Sequence, residues 1–131
     1  ILDGQERSES SLLTSYNFQK AAAKVGFDWP NAEGAWMKFE EEWQEFKQEI
    51  NEGTTESQLD ELGDVLFTIV NVARFYGLSP EEAMMHANRK FKSRFQYVEN
   101  SVGQGKGDFS GYTLDELEAF WQQAKQSKGD E

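Results

Sequence analysis

Cysteine is absent from this sequence, and histidine occurs once, at His86. The first absence rules out a disulfide framework and a thiolate metal site; the second leaves no histidine at ligand spacing from another, so His86 is given no role. Positive charge is also scarce: 13 Lys and Arg stand against 24 Asp and Glu, a net charge of −11. Nucleic-acid backbones are gripped by clustered Lys and Arg, so this balance argues against a nucleic-acid partner. No apolar run is long enough for a transmembrane span and no signal peptide is recognisable, so no membrane association is expected and the cytoplasm is the simplest compartment. No internal repeat is visible. What remains is a chain of 131 residues, 37% hydrophobic and 14% aromatic, enough for one domain with a workable core.

Helix punctuation divides the chain. Residues 1–11 are polar and without periodicity and read as a partly ordered arm. Leu12 to Val25 follows as a short helix, capped by Ser10 or Ser11 and stopped at Gly26. Phe27-Asp28-Trp29-Pro30 is a tight aromatic connector, since proline disfavours helix in the residue before it. Asn31 then caps a helix to about Asn51, which Gly53 ends. Thr55 and Gln58 have capping-box spacing for a helix from about Glu56 to Tyr76, closed by Gly77. Ser79-Pro80-Glu81-Glu82 starts another, to about Val102, with proline in the first turn where its missing N–H is harmless.

Gly103, Gly105, Gly107 and Gly111 crowd the next stretch. It lacks a Gly-Lys-Ser/Thr ending and follows a helix, so it reads as a flexible linker and not as a phosphate-cradling loop. Thr113-Leu114-Asp115-Glu116 is a capping box for a last helix that carries Leu117, Phe120 and Trp121. The expected fold is all-α, an antiparallel bundle of about four helices plus a short C-terminal helix. Its expected divisions are an arm at 1–11, a helical bundle at 12–102, and a glycine-rich linker with the last helix at 103–131.

Carboxylates are concentrated in the two central helices. Glu41, Glu42 and Glu45 lie at one-turn spacing on the first, and Glu61 and Asp64 on the second. Packed antiparallel through a short loop, the helices would gather about four carboxylates into one self-repelling pocket, which calls for a hard, oxygen-loving cation, Mg²⁺ first and Mn²⁺ second. A solvated acidic face is the plain alternative. Two patterns count against it. Trp36, Phe39, Trp43, Phe46 and Ile50 recur at spacings of three and four, defining a core stripe that Glu42 and Glu45 flank. Residues 65–73 are apolar nearly all round, as in a buried central helix, yet Glu61, Asp64, Thr68 and Asn71 trace one polar line along it. Unpaired buried carboxylates cost several kcal/mol each, so such a line suggests a site.

The pattern Glu-Glu-x-x-Glu, a spacer of residues 46–60, then Glu-x-x-Asp resembles the signature of the MazG nucleoside triphosphate pyrophosphohydrolases, of the all-α NTP pyrophosphatase class. Lys24-Val25-Gly26-Phe27-Asp28-Trp29, Glu61-Leu62-Gly63-Asp64-Val65-Leu66-Phe67, Val70-Asn71-Val72-Ala73-Arg74 and residues 88–95 are also similar, in the family's order, to the C-terminal catalytic half of two-domain MazG. The usual family protein carries a related N-terminal half, and this chain opens at Ile1 without Met, as a piece of a longer protein would.

The resemblance implies Mg²⁺-dependent hydrolysis of NTP or dNTP to monophosphate and pyrophosphate, by metal-activated water attack at the α-phosphate, with a role in nucleotide-pool sanitation. It implies metal ligation by Glu42, Glu45, Glu61 and Asp64, and a catalytic proton acceptor among Glu41, Glu42 and Glu45. Lys90 and Arg94 stand one turn apart on the third long helix, beside a stripe of Met84, Phe91, Phe95 and Val98. Exposed helix cations mean little by themselves, but these match the family's Lys-Phe-x-x-Arg motif and are expected, with Lys38, to hold the leaving pyrophosphate; Glu41 is also expected among the nucleotide-binding residues. Trp121 resembles the family's C-terminal tryptophan that contacts nucleotide; docking its helix onto the bundle is the alternative. A homodimer is expected. Two other readings share the pattern: a base-specific dUTP, dCTP or phosphoribosyl-nucleotide pyrophosphohydrolase, and a catalytically degenerate helical dimerisation module.

Overall fold

A computed structural model describes residues 1–4 and 10–127. Residues 5–9 of the expected arm and the polar tail at 128–131 lie outside the described residues. The all-α expectation holds: the described residues form five α-helices and one 3₁₀ turn, with no strand. They are α1 (Ser11–Lys24), α2 (Ala32–Glu52), α3 (Thr55–Phe75), α4 (Pro80–Gln104) and α5 (Leu114–Ser127), the 3₁₀ turn being Phe109–Gly111. The chain divides into two compact units, Ile1–Ala83 and Met84–Glu131.

In the first unit α2 and α3 form an antiparallel pair. At the connected end Ser57 donates to Glu49 Oε2 at 2.7 Å, and at the far end Trp36 Nε1 donates to Tyr76 Oη at 2.7 Å. Asn31 caps α2 as expected, its side chain accepting from Glu33 N. The α3 cap differs from the expected one. Thr54, not Thr55, accepts from Ser57 N while Ser57 Oγ accepts from Thr54 N. Gln58, cast as the box residue, instead donates its amide to the carbonyls of Glu49, Ile50 and Gly53. The box therefore starts one residue earlier, and the Gln58 amide instead gathers the carbonyls where α2 ends. Ser10 caps α1 by accepting from Leu13 N, and its hydroxyl donates to Glu81 at the start of α4. Gly26 and Gly77 close α1 and α3 with φ of +95° and +67°, where a Cβ would be strained.

The core stripe expected on α2 is corrected. Trp36, Trp43 and Ile50 remain 41, 43 and 52% exposed. Their rings pile on one another along the helix, Trp36 edge-on to Phe39 and Phe39 stacked on Trp43, each pair at 6.3 Å. The more covered positions are Ala35, Phe39, Glu42, Phe46 and Glu49. The packing seam therefore shares Phe39 and Phe46 with the expected stripe but runs through a small residue and two carboxylates instead of the tryptophans. On α3 the buried residues are Val65, Thr68, Val70 and Val72, while Leu66, Phe67 and Ile69 are exposed. The expected all-round burial is thus also corrected: α3 packs one side and shows apolar surface on the other.

In the second unit Val98, Val102 and Ala124 are buried, whereas Met84, Phe91 and Phe95 of the expected stripe are exposed. Phe91 and Phe95 stack at 5.8 Å, Phe95 stacks on Phe109, and Phe91 meets Trp121 at 5.4 Å. Gly103 remains inside α4. The rest of the glycine-rich stretch carries a turn with its own bonds: Gly107 adopts a φ of +85°, Asp108 accepts from Ser110 N, and Tyr112 Oη accepts from Lys106 N. Thr113 and Glu116 form the expected capping box of α5.

The corrected cap gives a direct test. Thr54→Ala should cost about 1 kcal/mol, the usual scale for an N-cap, whereas Thr55→Ala, inside the first turn, should be nearly neutral. Urea denaturation of both variants checks this, and the reverse order would restore the register that the sequence suggested.

Candidate active site

The antiparallel pairing of α2 and α3 decides what the acids do to each other. With Trp36 opposite Tyr76 and Glu49 opposite Ser57, the middle of α2 faces the first two turns of α3. Carboxylate oxygens of Glu42, Glu61 and Asp64 come within 4.8 Å of one another, and so do those of Glu41, Glu42 and Glu45. Glu42 belongs to both groups and is itself 7% exposed, on the packing seam. The structure thus brings all five predicted acids into one continuous cluster with Glu42 at its centre.

Lys38, one turn before Glu42, is the cation the structure places in this cluster. Its Nζ lies 3.2 Å from Glu42 Oε1 and 3.3 Å from Glu41 Oε1. The hydrogen bond to Glu42, then that to Glu41, raises its pKa. One ammonium does not neutralise five carboxylates. Burial, a hydrogen bond with Glu42 and repulsion from Glu42, Glu45 and Asp64 together push Glu61 up to about 7. Repulsion from Glu42 raises Glu45, and burial followed by repulsion from Glu42 and Asp60 raises Asp64. Glu61 Oε2 is shut off from solvent and, among the described residues, has no hydrogen-bond partner.

This donor set fits a hard divalent cation. Every candidate ligand atom is a carboxylate oxygen, the excess charge is negative, and the sealed Glu61 oxygen is a lone pair in want of a positive partner. The other predicted nucleotide residues lie in the second unit. Lys90 and Arg94 are half-buried on α4, and Trp121 on α5 rests against Phe91.

The sequence reading passed over Gln19. It is the buried residue of α1, 8% exposed, and its Nε2 donates to the Phe67 carbonyl on α3 at 3.1 Å. α1 has no clear apolar face, so nothing in its periodicity marks that position. Asp28 and Arg74, quoted only as parts of motifs, prove to be an ion pair at 2.6 Å that ties the aromatic connector to the end of α3.

The fold and site define a class, an all-α domain organised around a carboxylate cluster between two antiparallel helices. Residues 35–99, which span that cluster, match the MazG nucleotide pyrophosphohydrolase domain. A Thermotoga maritima protein named nucleoside triphosphate pyrophosphohydrolase/pyrophosphatase MazG is 36% identical over 116 residues, 88% of this chain and 44% of that protein. An Escherichia coli K12 nucleoside triphosphate pyrophosphohydrolase is 36% identical over 131 residues, covering 98% of this chain and 50% of the relative. The uncharacterized protein YabN of Bacillus subtilis is 40% identical over 68 residues, 52% of this chain and 14% of its own. The chain belongs to the MazG family. It spans about half the length, or less, of the curated relatives it matches.

The raised Glu61 pKa fixes the sign of a pH effect. Unfolded, this carboxyl titrates near 4.5; folded, near 7. The fold therefore favours its protonated form, so metal-free stability should fall as pH rises from about 4.5 through about 7 and then level off. Melting temperature in a chelating buffer should show that decline, Glu61→Gln should flatten it, and saturating Mg²⁺ should reverse it. A binder at one hundred times its dissociation constant stabilises by about 2.7 kcal/mol; no rise in melting temperature with Mg²⁺ or Mn²⁺ would remove the metal site.

Proposed function

We propose that this chain is the catalytic domain of a Mg²⁺-dependent nucleoside triphosphate pyrophosphohydrolase, cleaving between the α and β phosphates to give a monophosphate and pyrophosphate. The observation that carries the reading is the Glu42-centred cluster, in which carboxylates from two helices share one space with an unpartnered, sealed oxygen on Glu61. Glu41, Glu45 and Asp64 are exposed, but a purely solvated acidic face would not bury Glu42 and a Glu61 oxygen. Glu42, Glu45, Glu61 and Asp64 would hold the cation, which could also be Mn²⁺; when bound it supplies the positive charge that phosphate oxygens and an activated water require.

The chain's own groups do the rest. Glu41, exposed at the edge of the cluster and bonded to Lys38, would accept a proton, or Glu42 or Glu45 would. Lys38 contacts both Glu41 and Glu42 at 3.2–3.3 Å, and those bonds raise its pKa, so a charged ammonium stands beside the cluster to meet a phosphate. In the second unit, Lys90 and Arg94 are proposed to bind phosphates and Trp121 to contact the nucleotide. The exposed aromatic row on α2 and the exposed Leu62 and Leu66 on α3 support a homodimer. We place the enzyme in the cytoplasm, where it would act on the nucleotide pool. No helix among the described residues is long and apolar enough to cross a membrane.

The reaction is tested by anion-exchange analysis of all eight common triphosphates with Mg²⁺. Monophosphate and pyrophosphate should appear in equal amounts; orthophosphate, or no product with either metal, would overturn the reading. Glu42→Gln should lower turnover by about a hundredfold or more, the scale on which losing one charge-stabilising group acts, while the protein stays folded.

The cations are tested separately. Lys90→Ala and Arg94→Ala should weaken nucleotide binding and leave the Mg²⁺-induced rise in melting temperature intact. Arg94→Lys should restore activity incompletely, because a planar fork is replaced by a point charge. Lys92→Ala, roughly 160 to 200° around the helix at ~100° per residue, should be nearly silent. Equal losses at all three positions would indicate general electrostatic attraction and no placed grip.

A further inference from the structure

At the far end of the α2–α3 pair the first unit carries an open cavity of about 460 Å³, lined by Glu33, Trp36, Met37, Glu40 and Tyr76. Two rings form a corner in it: the centroids of Trp36 and Tyr76 are 6.3 Å apart, with their planes at 58°. The corner is locked. Trp36 Nε1 donates to Tyr76 Oη at 2.7 Å, and Phe39 packs edge-on to the indole at 6.3 Å. The charged groups of the cavity are the carboxylates of Glu33 and Glu40, and no cation is among its lining residues.

The cations of α2 are engaged elsewhere. Lys38 binds Glu41 and Glu42, and Lys47 lies over the Trp43 ring at 5.8 Å. Neither Glu33 nor Glu40 has an ion-pair partner among the described residues. Glu33, in the first turn of α2, also suits the positive end of the helix dipole, but that effect has faded by Glu40, two turns further on. The two acids share one face about 10 Å apart along the axis at ~1.5 Å per residue, with Trp36 between them. A hydrated metal ion gains little from an aromatic corner. An alkylammonium gains twice, at the carboxylates through its N–H groups and at the ring faces through its charge.

We propose that this cavity binds a linear aliphatic polyamine, with outer ammonium groups at Glu33 and Glu40 and an inner one against the Trp36 and Tyr76 rings. A chain of methylenes between charges suits the exposed Met37 thioether on the same face. The carboxylate spacing calls for more than one positive charge on a ligand slim enough to lie along the helix. Because the Trp36–Tyr76 bond pins the far end of the α2–α3 pair, a ligand held on those rings stabilises the pair by mass action. The proposal does not rest on the activity proposed above: none of these five residues belongs to the Glu42 cluster. No covalent step is involved.

The test is calorimetric titration of the full chain with spermidine in Mg²⁺ buffer, and with butylamine as a single-charge control at equal ionic strength. Spermidine should bind one per chain and raise the melting temperature; butylamine should do neither. Glu33→Gln and Glu40→Gln should each weaken spermidine binding by up to about fivefold, the scale of one exposed ion pair, and the double variant by more than either. Trp36→Leu should weaken it by about tenfold, within the range for a cation–π contact. Tyr76→Phe, which keeps the ring but frees the indole N–H, should have a smaller effect than Trp36→Leu. Glu42→Gln is the control for capture by the carboxylate cluster and should leave spermidine affinity unchanged.

Glu33→Gln and Glu40→Gln are isosteric changes at exposed positions and fold even where Trp36→Leu does not. Unaltered affinity in both, or an equal loss in Glu42→Gln, would assign the binding to the carboxylate cluster or to the chain's general acidity and overturn the proposal. Butylamine binding as tightly as spermidine would overturn it too, since one charge would then suffice. No binding by a protein that sediments as a dimer, with a dimer constant that Glu33→Gln and Glu40→Gln shift, would mean that a second copy covers this face instead. Triphosphate hydrolysis without spermidine should be the same in Glu33→Gln as in wild type, so the reaction and the polyamine site stand or fall separately.

Discussion

Mutual repulsion among carboxylates at the α2–α3 seam is the constraint to which the first unit answers. Glu42 occupies a position that ordinary packing would give to a leucine, and burial of a charged group there costs several kcal/mol unless it is paired. Lys38 offsets part of this from one side only. The helices must therefore be held together elsewhere, and they are, at both ends. Near the loop, the Thr54–Ser57 box, the Ser57–Glu49 bond and three carbonyls gathered by Gln58 fix the turn. At the opposite end Trp36 bonds Tyr76, and Arg74 binds Asp28. The middle of the pair can carry strained chemistry because its ends are pinned.

Glu61 shows the cost most clearly. Burial and its neighbours hold its carboxyl near pKa 7, so around neutrality the cluster relieves itself by keeping a proton where a cation would otherwise lie. A divalent cation bound there would compete with the proton for the same oxygens and would release it. The metal-free and metal-bound forms of such a site differ in protonation as well as in occupancy.

Much of this was legible in the sequence, because it depends on local periodicity. Asn31, Gly26, Gly77 and the Thr113–Glu116 box are local signals, and each does what its spacing says. The acids at positions 41, 42, 45, 61 and 64 meet because one-turn spacing on two helices joined by a short loop leaves few other arrangements. What the sequence misdirected was burial. Trp36 and Trp43 read as core because large apolar residues usually are, yet the helices approach through Ala35 and Glu42, and the tryptophans lie outward against Phe39, Trp36 edge-on and Trp43 stacked. Size marked the wrong phase of the helix by one residue at alternate positions. Gln19 was illegible for a different reason: its partner is a backbone carbonyl 48 positions away, and carbonyls carry no sequence signature.

The misread phase and the site are consequences of one choice. A seam given to Glu42 and Glu49 cannot also be given to large apolar side chains, so the aromatic surface that would have formed a core is displaced to the outside of α2, and Leu66, Phe67 and Ile69 to the outside of α3. Phe67 then lines a cavity between α1, the connector at 27–30 and α3. Two features that look separate in composition, buried acid and exposed aromatic, are two faces of the same packing decision.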